Sequence, residues 1–119
     1  MDYPDPRTFL GRTVKVVIDR PYGSHHPTHG FEYPVNYGYL PGIPAPDGED
    51  LDAYVLGVEA FPLSEFTGIC IAVIHRLDDA DDKLAVVPAG VTLTDDQVRQ
   101  AVHFQEQYFQ SEILRIGVK

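Results

Sequence analysis

The chain has 119 residues, 44% of them hydrophobic, and a formal net charge of −9. That length makes a single domain over residues 1–119, able to bury about two-thirds of its unfolded surface without staples. The acidic balance argues against nucleic acid or an anionic membrane as partner, since both need basic surface.

Cys70 is the single cysteine, which leaves no disulfide within the chain and no cysteine zinc site. The N-terminus shows no apolar signal segment, and no apolar run approaches transmembrane length. The expectation is a soluble, cytoplasmic protein.

In chain order, "TVKVVIDR" from Thr13 to Arg20 is rich in β-branched residues and predicts a strand ending at Pro21. "YGSHHPTHG" from Tyr22 to Gly30 is a turn or loop. "FEYPVNYGY" from Phe31 to Tyr39 starts as a short strand and then runs irregularly past Pro34 and Gly38. Leu40 to Asp50 holds three prolines and two glycines and predicts a loop. Asp52 to Val58 and Gly68 to Leu77 read as strands. Asp78 to Asp82, "DDADD", is a turn, and Lys83 to Val87 is the returning strand of a hairpin with an acidic tip.

The one clear helix begins at Thr94, whose hydroxyl can cap it while Gln97 reaches back. Asp95 and Asp96 suit the positive end of the helix dipole. Val98, Ala101, Val102, Tyr108 and Phe109 give its apolar stripe, and Ile113 to Val118 reads as a last short strand. Four or five short strands and one late helix predict a small closed β-barrel with the helix packed on it. Periodicity alone leaves a sandwich open.

"PDGEDLD", Pro46 to Asp52, puts four carboxylates into six residues, just before an apolar strand. "DDADD" links two other strands. Either turn alone reads most simply as a solvated loop. If the strands are barrel neighbours, Asp47, Asp52, Asp78 and Asp81 converge at one rim, and such a group needs cations. Hard oxygen ligands select Mg²⁺, Mn²⁺ or Ca²⁺. An EF-hand is excluded, because Gly48 directly follows Asp47. Lys15, Lys83, Tyr37 and Tyr108 add cations and phenolic donors that suit an anionic, oxygen-rich substrate such as a phosphate.

The stretch "YPVNYGY", Tyr33 to Tyr39, followed by "DGEDLD", Asp47 to Asp52, resembles the signature of the soluble family I inorganic pyrophosphatases. Asp81-Asp82-Lys83-Leu84 is similar to the family's D-x-K-L, and His103-Phe104 with Tyr108 gives a third ordered match. The resemblance implies an OB-like closed five-stranded β-barrel with one C-terminal α-helix packed against it, mainly β. It implies Mg²⁺-dependent hydrolysis of pyrophosphate in a homo-oligomer. It assigns Asp47, Asp52 and Asp81 to the principal metal, Asp52 also to a second, and Asp78 to one arriving with substrate. Glu49 would take the proton of the attacking water. Lys15, Lys83, Tyr37 and Tyr108 would grip phosphate oxygens.

The chain departs from that pattern. Val17 stands where the family has a metal-binding glutamate, Glu49 where it has an aspartate, and Phe109 where it has a lysine. A carboxylate shifted by about 1 Å can cost on the order of 100-fold in rate. The loop from Pro21 to Gly30 is short, and the family's phosphate-binding arginine has no aligned partner. Arg20 and the histidines His25, His26 and His29 are the available replacements. Those three imidazoles also admit a zinc reading, against the commoner one of exposed loop histidines. His103 reads as a packed or surface residue, and His75 carries no signal. The competing reading is a degenerate homologue that binds divalent cation and phosphate without turnover. An OB-type oligonucleotide binder conflicts with the acidic charge.

Overall fold

The computed structural model describes residues 3–79 and 81–116. Alternation of apolar and polar side chains along β1 (Thr13–Arg20) buries Val14, Val16 and Ile18 and turns the intervening residues outward. β2 (Asn36–Pro44), β3 (Asp50–Val55), β4 (Glu65–Arg76) and β5 (Lys83–Val87) follow, then α1 (Asp95–Glu106) and β6 (Ser111–Leu114). A single 3-10 turn, Pro6–Phe9, precedes β1.

The sheet order is β1-β2-β3-β5-β4-β6, and β4 also pairs with β1. The 12-residue β4 makes this possible. Its first half closes on β1, from Thr13↔Ile69 to Val17↔Glu65, and its second half takes β6 on the same course. Five strands therefore close into the expected barrel, with β6 added outside the ring. β3 and β5 run parallel, with Asp52↔Lys83 as the first pair of their register. The other strand pairs are antiparallel.

All five residues of β5 are buried. Leu84 and Val86 face the barrel interior with Val16, Val55 and Val73. Ala85 and Val87 face the other way, with Tyr33, Tyr54, Ile74 and the helix residues Val98 and Val102. The period-2 alternation of a strand thus gives β5 two apolar faces, one for the barrel core and one for the layer beneath α1. The helix begins as expected. Thr94 is the N-cap and forms a full capping box with Gln97.

Three expectations are corrected. The segment read as a loop from Leu40 is strand as far as Pro44. Its register jumps between Tyr39↔Asp52 and Pro44↔Asp50, so Pro41 and Gly42 fall in an irregular stretch with no regular ladder to break. There the Gly42 N–H donates to the Asp50 carboxylate at 3.2 Å. α1 ends at Glu106, and Tyr108 and Phe109 lie in the turn beyond it. The last strand is Ser111–Leu114 rather than Ile113 to Val118. The end of that expected strand, residues 117 and 118, and Ala80 of the acidic turn lie outside the described residues. Among the described residues no helix is long and apolar enough to cross a membrane.

Gly38 in β2 lies between Ile18 of β1 and Ala53 of β3. A Cβ there would stand 1.9 Å from the Val17 carbonyl oxygen, far inside van der Waals contact distance. Gly38→Ala must push β1 and β2 apart. It is expected to cost about 3 kcal/mol, the upper range for overpacking, seen as a lower urea midpoint. An unchanged midpoint would show that the two strands do not pack this closely.

Candidate active site

The acidic stretch is shaped by its own backbone. Gly48 takes a φ of 89°, and the Glu49 N–H donates to Asp47 Oδ1 at 2.9 Å, closing a tight Asx turn. Asp52 stands on β3, and the parallel register sets Lys83 beside it. Asp81 lies in the acidic turn, two residues before Lys83.

Asp47, Asp52 and Asp81 each present a carboxylate oxygen such that all three lie within 4.8 Å of one another. Opposite ligands of an octahedral Mg²⁺ are about 4.2 Å apart and those of Ca²⁺ about 5 Å. The trio therefore fits one hard divalent cation, closing slightly for Mg²⁺. It is the only such group of three or more ligating side chains among the described residues.

Two buried cations hold two members of the trio, Asp52 and Asp81. Lys83, 2% exposed, donates from Nζ to Asp52 Oδ2 at 2.9 Å and to Asp81 Oδ1 at 3.0 Å. Arg76 reaches the other Asp81 oxygen at 3.3 Å and Asp79 at 3.4 Å from Nη1. Its Nε and Nη2 make a bidentate pair with Glu106 at 3.0 and 2.8 Å, and the Phe109 ring lies 3.6 Å from its guanidinium carbon. Burial alone would lower the Arg76 pKa, but the hydrogen bonds and charge of Glu106 and the charge of Asp81 raise it above its ordinary value. Glu106 also accepts from the Tyr54 hydroxyl, which accepts in turn from Gln105 Nε2 at 2.7 Å. Gln105 Oε1 accepts from Tyr33 at 3.0 Å. This buried chain of polar groups locks the end of α1 onto the barrel behind the site.

The carboxylates open into a cleft of about 1460 Å³, room for a hydrated ion and a diphosphate. Tyr37, Lys83 and Tyr108 line it, as do Asp47, Glu49, Asp52 and Asp81. Tyr37 is buried and its hydroxyl pKa lies well above the ordinary value, first from burial and then from the Asp52 charge, so it remains a donor. Tyr108 is 66% exposed at the mouth.

Two expected site residues are not brought there. Lys15 projects to solvent and pairs with Glu65 at 3.5 Å, away from the cleft. Asp78 accepts the Gln110 N–H at 3.2 Å and so ties the acidic turn to the segment after α1. Among the described residues the histidines belong to no group of three converging ligand atoms. The rings of His26 and His29 lie 4.7 Å apart, and His25 forms a backbone bridge with Glu32. His75 pairs with Asp82 at 2.9 Å.

Sequence reasoning passed over Asp19, Arg76, Gln105 and Glu106, and left Arg20 without an assigned place. Asp19, two residues after Val17 on the same face of β1, lines the cleft. Loss of water around its carboxyl raises its pKa, Arg20 opposes that rise, and Asp52 adds to it. A signal for Gln105 and Glu106 was present. They follow Val98 and Val102 at helical spacing, which puts both on the buried face.

The chain matches the inorganic pyrophosphatase family over residues 11–114. No curated protein matches it. Its fold is similar to the inorganic pyrophosphatase of Ehrlichia chaffeensis, with a TM-score of 0.65 and 19% identity over 98% of this chain and 89% of that one. It is also similar to the enzyme of Helicobacter pylori, with a TM-score of 0.62 and 20% identity over 87% and 82%. For the enzyme of Thermus thermophilus the TM-score is 0.59, with 20% identity over 96% and 85%.

Arg76→Met leaves Glu106 charged and buried without its partner, so it is expected to cost about 3–5 kcal/mol in urea unfolding. Adding Glu106→Leu removes the stranded charge and should restore much of the loss. Equal, additive losses from the two substitutions would contradict a buried pair.

Proposed function

The chain belongs to the inorganic pyrophosphatase family, and from that premise we propose that it hydrolyses inorganic pyrophosphate to two phosphates, with Mg²⁺ held by Asp47, Asp52 and Asp81. The carrying observation is the trio of carboxylates within 4.8 Å of one another, braced by a buried lysine. Isolated acids at this spacing repel, and the geometry suits oxygen ligation of a hard ion. Mg²⁺ bound there supplies a water of lowered pKa and charge neutralisation for phosphate oxygens.

The remaining work falls to the chain's own groups. Glu49 lines the cleft beside the trio, its backbone fixed by the Asx turn and its side chain exposed. It accepts the proton of the water whose oxygen bonds to phosphorus, while the bridging P–O bond breaks and its electrons leave with the second phosphate. Lys83 has three N–H donors, of which two are held by Asp52 and Asp81. The third is available to a phosphate oxygen. Tyr37 donates from the cleft wall and Tyr108 from its mouth. Lys15 and Asp78 stand outside this arrangement, so the grip on phosphate is built without them.

The proposal extends to a homo-oligomer in the cytoplasm, with no nucleic acid and no membrane as partner. The net charge of −9 supports the last two. The intact trio and the placement of Glu49 favour hydrolysis over binding without turnover.

Glu49→Gln keeps size and removes basicity, so turnover should fall by about 10²- to 10⁴-fold. Stabilisation by Mg²⁺ should survive, worth ~2.7 kcal/mol at about 100 times the dissociation constant. Asp52→Asn should lose both turnover and the Mg²⁺-induced rise in melting temperature. A full Mg²⁺ response in Asp52→Asn would place the metal elsewhere, and wild-type turnover in Glu49→Gln would remove Glu49 as the base.

A further inference from the structure

The cleft is larger than an inorganic diphosphate needs. Its volume of about 1460 Å³ exceeds the roughly 300–1,000 Å³ typical of a pocket for a drug-sized ligand. Its positive charge is also largely committed. Three Arg and Lys side chains line it, Arg20, Arg76 and Lys83. Arg76 is shared by Glu106, Asp79 and Asp81, and Lys83 by Asp52 and Asp81. Arg20 stands beside Asp19, whose carboxyl feels its charge. A ligand that draws part of its affinity from something other than charge suits such a cleft.

What the cleft has in excess is rings. His26, His29 and Phe31 all line one wall of it. The His26 and His29 rings lie 4.7 Å apart between centroids, and Phe31 lies 4.9 Å from His26. The planes of His29 and Phe31 are parallel to within 7°. Phe31 also meets Phe104 of α1 edge to face at 5.9 Å, so it belongs in part to the layer beneath the helix. His29 does not. It is exposed, and among the described residues its ring partners are His26 and Phe31 alone. Core packing accounts for the phenylalanine and leaves the outer imidazole without a task.

The wall is set before any ligand arrives. The backbone N–H groups of Thr28 and His29 both donate to His26 Nδ1, each at 3.1 Å. The Gly30 N–H closes the turn on the His26 carbonyl at 3.0 Å, and the His26 N–H donates to the Phe31 carbonyl at 2.8 Å. Two donors on Nδ1 require a lone pair there, so the ring proton is on Nε2 and the ring is neutral. Burial, His29 and Arg20 all lower its pKa, which keeps it so. Rings held in this way stack on a planar group with little ordering left to do.

We propose that His29 and Phe31 form a stacking platform for a nucleobase, and that the cleft accepts nucleoside 5′-diphosphates as well as inorganic diphosphate. A nucleoside diphosphate is a diphosphate esterified at one end. It offers the trio the same P–O–P linkage, while its planar base reaches the ring wall. The oxygen of water bonds to the terminal phosphorus and one water proton passes to Glu49. The bridging P–O bond breaks, and its electrons leave with the nucleoside monophosphate. Stacking is tolerant of base identity, since every base has a π face, so the platform selects the class and not one base. This inference rests on the pyrophosphate reading above, to which it adds a second substrate class.

The test is calorimetric titration of the full chain, in saturating Mg²⁺, with two ligands that resist hydrolysis: adenosine 5′-(α,β-imido)diphosphate and imidodiphosphate. Wild type should bind the nucleotide at least as tightly as the bare diphosphate, although the ester removes one ionisable oxygen. His29→Ala should weaken the nucleotide by about 5- to 150-fold, the worth of one base stacked on a ring, and shift imidodiphosphate by less than about 2-fold. His29→Trp keeps a ring there and should bind the nucleotide no more weakly than wild type. Parallel losses of both ligands in His29→Ala, or nucleotide affinity unchanged in it, would overturn the platform. If wild type hydrolyses pyrophosphate but does not bind the nucleotide, the platform falls and the pyrophosphate reading stands. If wild type binds the nucleotide through His29 yet releases phosphate from neither adenosine diphosphate nor pyrophosphate, the hydrolase reading falls and the platform stands.

Discussion

A single buried ammonium sets how close Asp52 and Asp81 can stand. Lys83 is 2% exposed, and its Nζ meets one oxygen of each acid at 2.9 and 3.0 Å. A lysine taken out of water needs carboxylates, and two carboxylates this close need a cation. Neither side is stable there alone. The parallel pairing of β3 with β5 makes the meeting unavoidable, because its register opens with Asp52 beside Lys83. The strand that fills the barrel core with Leu84 and Val86 thus carries the residue that organises the site at its first position.

Arg76 and the end of α1 extend the same logic outward. Asp81 has its second oxygen on Arg76, and Arg76 is held by Glu106, Tyr54 and Gln105 behind it. A buried ion pair is weak support for stability when compared with a well-packed apolar pair. Its use here is positional. The network fixes Asp81 from the protein side while one face of the trio stays open to the cleft. The front of the cleft is set differently, by a short Asx turn at Asp47 and a braced loop around His26. The two sides of the cleft are therefore anchored by separate parts of the fold.

The acidic trio was legible because its residues lie in two compact acidic turns beside apolar strands and match the family signature, and strand spacing suggested a barrel that the resemblance chose over a sandwich. The helix start was legible from Thr94 and Gln97. What stayed hidden depends on contacts across the fold. Arg76 and Glu106 are 30 residues apart and carry no shared local pattern. Lys15 was named for its charge and from the family resemblance, and it lies on the same face of β1 as Asp19. Four residues of strand separate them by about 13 Å, and only the second reaches the cleft. Pro41 and Gly42 argued against a strand, correctly for a regular ladder and wrongly for an irregular one. Asp19 and Arg20 stand at a strand end before a proline, and only barrel closure brings that end to the cleft of the trio.

The central claim is that the trio braced by Lys83 gathers a divalent cation in order to split pyrophosphate. The most direct measurement is the initial rate of phosphate release from pyrophosphate by the purified chain as Mg²⁺ is titrated from a chelated, metal-free start. The account predicts no release without the cation and a saturable rise with it. Release that is independent of Mg²⁺, or none at any concentration of Mg²⁺ or Mn²⁺, would contradict it.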